Sequence, residues 1–182
     1  MVLPGHLAGG YLAAYALQAL SHASFTPLES TMLLTIGVLA GEAPDIDLIR
    51  YTIEQRTDKK TDKTVSHRDY FTHAPLFWLA ASLAVVFAGL ISGSFFTQFV
   101  GWTILCGSWS HLILDTIEFG IAWLWPFSKR RYFFRHAESG EMKSQPGSLA
   151  HYWEFISKVY VRNVSFYAEI LITLPALYIA FL

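Results

Sequence analysis

Charge is scarce in this chain: only 15% of its 182 residues are Asp, Glu, Lys or Arg, against about 25% in an ordinary soluble domain. The formal net charge of −1 gives no reason to expect a nucleic-acid partner. A single cysteine, Cys106, leaves no disulfide framework within the chain and says nothing about compartment. No internal repeat recurs, and the one biased tract, TDKKTDK at 57–63, has the pattern of a solvated loop of mixed charge. The opening MVLPGHLAGG carries no basic residue ahead of its apolar run, so the first helix is expected to be retained and not cleaved as a signal peptide.

What fills the chain is apolar: 53% of residues are hydrophobic and the mean hydropathy is +0.37. The apolar residues gather in five segments, His6–Leu20, Thr31–Ala43, Ala74–Ser92, Phe95–Leu114 and Ser165–Leu182. Crossing a bilayer takes about 20 residues with a range of about 17–25, a length the last three reach. The first two are shorter, and the second stops at Pro44. The expected fold is therefore all-α, an integral membrane helical bundle of about five transmembrane helices forming one domain over residues 1–182. Gly5, Gly9, Gly10, Ala13 and Ala14 in the first segment, with Gly37 and Gly41 in the second, give small-xxx-small patterns that let backbones approach closely.

All 13 lysines and arginines lie in two polar segments, Arg50–Arg68 and Ser128–Arg162. Basic loops face the cytoplasm. Five spans then place the N-terminus and both segments inside, in the cytoplasmic membrane, with the C-terminus outside.

On that topology the unusual polar residues converge. His6 starts the first helix, Asp45 and Asp47 end the second, His67 and His73 precede the third, and His111 and Asp115 end the fourth, all at the cytoplasmic level. His111 and Asp115 are four apart and share a helix face, a stripe that Ser108 and Glu118 extend. Imidazole nitrogen with carboxylate oxygen is a donor set for zinc and similar divalent ions. Each residue taken alone has a plainer reading as a helix cap or a buried acid. Ionisable groups in membrane helices are costly, however, and several at one level point to a shared site. His22 and His136 are expected to be interfacial. His151 and Glu154 fall in an amphipathic stretch, His151–Tyr160, expected to lie on the membrane surface or to act as a lid.

The succession His6, Gly41-Glu-Ala-Pro-Asp-Ile-Asp47, His67-Arg-Asp-Tyr-Phe-Thr-His73, His111-Leu-Ile-Leu-Asp115 and Trp125-Pro-Phe127 resembles the LexA-regulated, YdjM-like membrane-bound metal-dependent hydrolases. Those proteins in turn look related to the helical zinc-dependent phospholipase C and single-strand nuclease group. The resemblance covers residues 5–127; the C-terminal part, 128–182, does not align. It departs at Asp69 and Tyr70, where the family usually has a small residue, and at Ala74, where serine is common. What it implies is a hydrolase of phosphate esters, with lipid or lipid-linked substrates, using two or more divalent ions, zinc above all and manganese or iron as alternatives. His6, Asp45, Asp47, His67, His73, His111 and Asp115 would be ligands. Asp45 or Asp47 would be the base, and Arg68 would either neutralise a phosphate oxygen or serve as a basic anchor. A transporter would instead spread polar groups through the bilayer depth, and a scaffold would hold its metal structurally. The oligomeric state is not legible.

Overall fold

The computed structural model describes residues 3–50, 53, 67–137 and 148–182, so the mixed-charge run 57–63 lies outside the described residues. The regular elements among them are helical: α1 (Leu3–Ser21), α2 (Pro27–Glu42), α3 (Pro75–Ser92), α4 (Phe95–Thr116), the short α5 (Leu149–Glu154) and α6 (Val164–Ala180). Local chemistry fixes their ends. Thr26 caps α2, its hydroxyl accepting from the Glu29 backbone N–H while the Glu29 carboxylate accepts from the Thr26 N–H, and Pro27 opens the helix. The start of α2 thus lies four residues before the apolar run that announces it. Gly93, at φ 68°, closes α3 in the left-handed conformation, and Ser94 immediately caps α4.

The helices run up and down, so the start of α1, the end of α2, the start of α3 and the end of α4 lie together. The close approaches expected of the small residues are present. A Cβ on Gly10 would sit 2.2 Å from the Gly37 carbonyl oxygen, and one on Gly41 would sit 2.5 Å from that of His6. Gly107 of α4 meets the same seam, 2.8 Å from Gly37 O. Because backbone atoms oppose each other there, no side chain can swing aside. Gly10→Val is expected to part α1 from α2 and lower the thermal midpoint in detergent by several degrees, a cost of about 1–3 kcal/mol or more; Gly93→Val, which meets nothing within 4 Å, separates this effect from backbone strain.

Length and apolarity single out fewer spans than the sequence suggests. Among the described residues α3 is the one helix that passes both tests, and only 22% of it is buried within the protein, which leaves most of its surface for lipid. The α5 and α6 region passes only as a pair, 149–162 with 164–180, bent by 92°. α4 is long enough, at 22 residues, but carries Thr97, Gln98, Thr103, Ser108, Ser110, His111 and Asp115. Several of its hydroxyls bond back to their own helix: Thr103 Oγ1 donates to Phe99 O at 2.9 Å, Ser108 Oγ to Ile104 O at 2.8 Å and Thr116 Oγ1 to Leu112 O at 2.7 Å. Groups satisfied within the helix need no water, so hydropathy overstates their polarity.

After α4 the chain turns at Gly120 (φ 83°) and folds back beneath the helix end. Ile121 and Tyr132 form an isolated antiparallel bridge. The Phe134 and Arg135 N–H groups donate to the Thr116 and Ile117 carbonyls, both at 3.0 Å. Residues 122–129 are thereby held beside the Arg68–Ala74 segment.

Candidate metal centre

Pro44 ends α2 because it has no N–H to continue the ladder, and the chain tightens into a 3₁₀ turn, Ala43–Ile46, that carries Asp45. A second such turn, Phe71–His73, delivers His73 just before α3. His6 comes from the first turns of α1, and His111 and Asp115 from the last turns of α4. His6, His73, His111 and Asp115 are all essentially inaccessible.

These side chains form two triads that share one member. His6, His111 and Asp115 present ligand-type atoms within 4.8 Å of one another, and so do Asp45, His73 and His111. Individual separations are 3.5 Å from His6 Nε2 to Asp115 Oδ1 and 3.2 Å from His73 Nε2 to Asp45 Oδ1. His111 Nε2 stands 3.7 Å from Asp45 Oδ1 and 3.9 Å from Asp115 Oδ2. The His6 and His111 rings stack, with centroids 3.7 Å apart and planes 19° apart.

Orientation is fixed from outside the cluster. His111 Nδ1 lies 2.8 Å from the Gly41 carbonyl oxygen. A carbonyl can only accept, so Nδ1 carries the proton and the Nε2 lone pair points at the triads. His73 Nδ1 is likewise 2.8 Å from Asp47 Oδ2, which also accepts from the Thr72 hydroxyl. Asp47 therefore orients His73 through the oxygen it presents here, an arrangement typical of metal-ligating histidines. Burial disfavours a charge on His73, which precedes α3. Hydrogen bonds and charge from Asp45 and Asp47 outweigh it and raise the imidazole pKa above its ordinary value. An ion at His73 thus competes with a well-held proton.

Arg68 is held against one of the candidate ligands and lines the neighbouring cleft. Its Nε donates to Asp115 Oδ2 at 2.5 Å, and its guanidinium lies over the Phe119 ring, 4.4 Å from the centroid. His67 opens a short 3₁₀ turn, but its side chain lies outside the described residues. Glu118, expected on the His111–Asp115 stripe, instead caps α6: its two oxygens accept from the Val164 and Ser165 N–H groups at 2.8 and 2.9 Å. Ser108 turns its hydroxyl to its own helix. His22 ends α1 exposed at φ 54°, and His136 lies against the Phe133 ring at 4.1 Å. Neither His151 nor Glu154 joins a metal-type cluster among the described residues; Glu154 pairs with Lys158 at 2.7 Å, beside the exposed Leu149, Tyr152 and Trp153. The stretch His151–Tyr160 is continuously helical, α5 passing into a wide π turn, Phe155–Val159, and then a 3₁₀ turn, Tyr160–Arg162.

One polar network escaped the sequence reading. Glu169 of α6, 7% exposed, accepts from the Gly5 N–H at 2.8 Å and from the Tyr160 hydroxyl. It satisfies an amide at the start of α1, where helix N–H groups have no partner of their own, one residue before His6.

The cluster suits a divalent cation. Both ring nitrogens of His6, His111 Nε2 and Asp47 Oδ1 are buried without a hydrogen-bond partner, and such polar atoms are costly to bury unless something binds them. Imidazole nitrogen and carboxylate oxygen are together a donor set that could hold a metal ion.

A helical bundle with large apolar side chains over its outside and a buried histidine–carboxylate cluster at one end defines a membrane protein with a candidate metal centre. The chain belongs to the YdjM inner membrane protein family, whose sequence model matches residues 1–181. No curated protein and no solved structure matches it.

Proposed function

We propose that the chain is a membrane-bound, divalent-metal-dependent hydrolase of phosphate esters, with lipid or lipid-linked phosphates as its substrates. In this reading five helices span the cytoplasmic membrane, the N-terminus and both basic segments lie inside, and the centre opens at the cytoplasmic face. The observation that carries the reading is the pair of triads sharing His111, buried where four chain segments meet.

A bound divalent ion supplies polarisation of a phosphoryl oxygen and acidification of water. The chain's own groups do the rest. Asp45 is the least buried member of the triads, its side chain 15% exposed, and takes the role of base. Asp47 keeps His73 turned toward the centre. Arg68 neutralises Asp115 and places positive charge at the edge of the site. His111 has one lone pair available at Nε2 and serves one ion. A second ion would need another donor beside His6 and Asp115, or beside Asp45 and His73.

The test is turnover. Full-length protein in detergent or nanodiscs, loaded with zinc or manganese, is expected to release phosphate or a headgroup from a panel of lipid phosphates and phosphodiesters. Asp45→Asn should lower that rate by about 10²–10⁴-fold. Metal-loaded protein inert on the whole panel overturns the hydrolase. A second reading, a closed structural centre, draws support from the complete burial of His6, His111 and Asp115. It predicts that Asp45→Asn lowers the thermal midpoint together with ion content, whereas the hydrolase predicts a folded, inactive protein.

A further inference from the structure

A cleft of about 230 Å³ lies between the Arg68–Ala74 segment and the loop after α4, lined by Arg68, Tyr70, His73, Trp125 and Lys129 among others. It differs in kind from two larger hollows, beside α6 and beneath the 132–134 aromatics, which are almost wholly apolar. His73 belongs both to this cleft and to the Asp45–His73–His111 triad. Whatever occupies the cleft therefore borders the candidate metal centre.

The walls are built, not incidental. Arg131 and Asp69 form an ion pair that ties the loop to the turn carrying Arg68. Ser128 N–H donates to Leu124 O at 2.9 Å and shapes the backbone immediately before Lys129. The Ile121–Tyr132 bridge anchors both ends of that loop. Arg131 offsets the charge of the cleft's own acid, Asp69, as Asp115 offsets that of Arg68, so among the described lining residues Lys129 sets the local sign. Phe71, next in the chain to the lining residue Tyr70, and Phe127, two residues before Lys129, are both exposed, the latter 89%. A cationic cleft flanked in the chain by exposed aromatic residues suits an amphiphile that carries an anionic head.

We infer that this cleft is a phosphate-binding subsite, with Lys129 as the cation that meets the incoming group and Arg68 and His73 in its wall. Lysine acts on phosphate as a point charge with rotatable donors, which tolerates several headgroup shapes. The inference rests on the metal reading of the neighbouring triad. Asp45, Asp47 and Asp115 would repel a phosphate dianion, and a divalent cation among them reverses that field. Phosphate binding should accordingly require metal, and phosphate should tighten metal binding in return, since coupling between two ligands is reciprocal.

Binding, not turnover, tests it. Full-length wild-type protein, Lys129→Gln, Lys129→Arg and Lys158→Gln would be titrated with zinc alone, then in the zinc-loaded state with inorganic phosphate. A parallel arm uses phosphatidylcholine nanodiscs with and without phosphatidic acid. Lys129→Gln is expected to keep its zinc content and thermal midpoint but bind phosphate roughly tenfold or more weakly, the scale of one hydrogen bond to a charged group. Lys129→Arg should restore most of the affinity, and Lys158→Gln should match the wild type. Saturation by inorganic phosphate alone identifies a free phosphate as sufficient; binding confined to the phosphatidic acid discs identifies a lipid-borne one, and either supports the subsite. Zinc-loaded wild type that binds neither, or Lys129→Gln that binds both normally, overturns the subsite while leaving the metal reading standing. Protein that takes up no zinc overturns both.

Discussion

His111→Ala is expected to leave the protein without bound ion at either triad. Among the described residues this one imidazole belongs to both metal-type clusters, and its Nε2 is aimed at them by the proton that Nδ1 gives to Gly41 O at 2.8 Å. Substituting even a group that merely orients a ligand typically costs about 10–100-fold in metal affinity, so losing the shared ligand should exceed that. Asp115→Ala makes the informative contrast. It removes a ligand from the His6 triad only, and so should spare ion binding at Asp45 and His73. It also breaks the ion pair with Arg68, whose side chain is 11% exposed. Stranding one member of a buried pair costs about 3–5 kcal/mol, whereas His111→Ala orphans a single carbonyl, at about 1–3 kcal/mol, besides the cavity it leaves. Elemental analysis and thermal midpoint should therefore rank the two variants in opposite orders. Equal ion loss with equal destabilisation would mean that the cluster is one structural unit and not two triads with a common member.

The contrast also shows which parts of the site can be read from a sequence. Helix ends announce themselves through apolar runs and through prolines such as Pro44 and Pro75. Once the helices alternate in direction, the end at which His6, Asp45, His73, His111 and Asp115 gather follows. Which carboxylate ligates and which orients does not follow. Asp45 and Asp47 are equivalent in the string Pro-Asp-Ile-Asp, and only the turn of a 3₁₀ segment sends one to His73 Nε2 and the other to Nδ1. Arg68 was legible as a cation near the site, yet its pairing with Asp115 spans 47 positions and has no periodic signature. The Thr26–Glu29 box sets the start of α2 ahead of the apolar run, because a cap is polar and lies outside the hydrophobic pattern. Lys129 read as one more basic residue of a cytoplasmic segment, because nothing in the sequence tells which of several neighbouring cations a fold will turn toward a cleft.

Glu169→Ala is expected to act on the same centre from a distance. Glu169 lies 164 positions from Gly5 and holds that residue's amide at 2.8 Å. Its other oxygen takes the Tyr160 hydroxyl, and Tyr160 is itself 1% exposed. The substitution removes the acceptor from two buried donors, and a buried donor left unmade costs about 1–3 kcal/mol, so the thermal midpoint in detergent should fall by several degrees. Glu169→Gln keeps an acceptor for Gly5 and should recover much of the loss. Stability alone would not distinguish a structural acid from a positioning one; His6 supplies the distinction. It follows Gly5 directly, and its ring must stay stacked on His111 at 3.7 Å for both to face one ion. Freed from Glu169, the first turn of α1 should fray and carry His6 out of register. Ion affinity should then fall in Glu169→Ala even well below its melting temperature, with Asp45–His73 occupancy retained. Full affinity in the folded variant would reduce Glu169 to a clamp between α1 and α6.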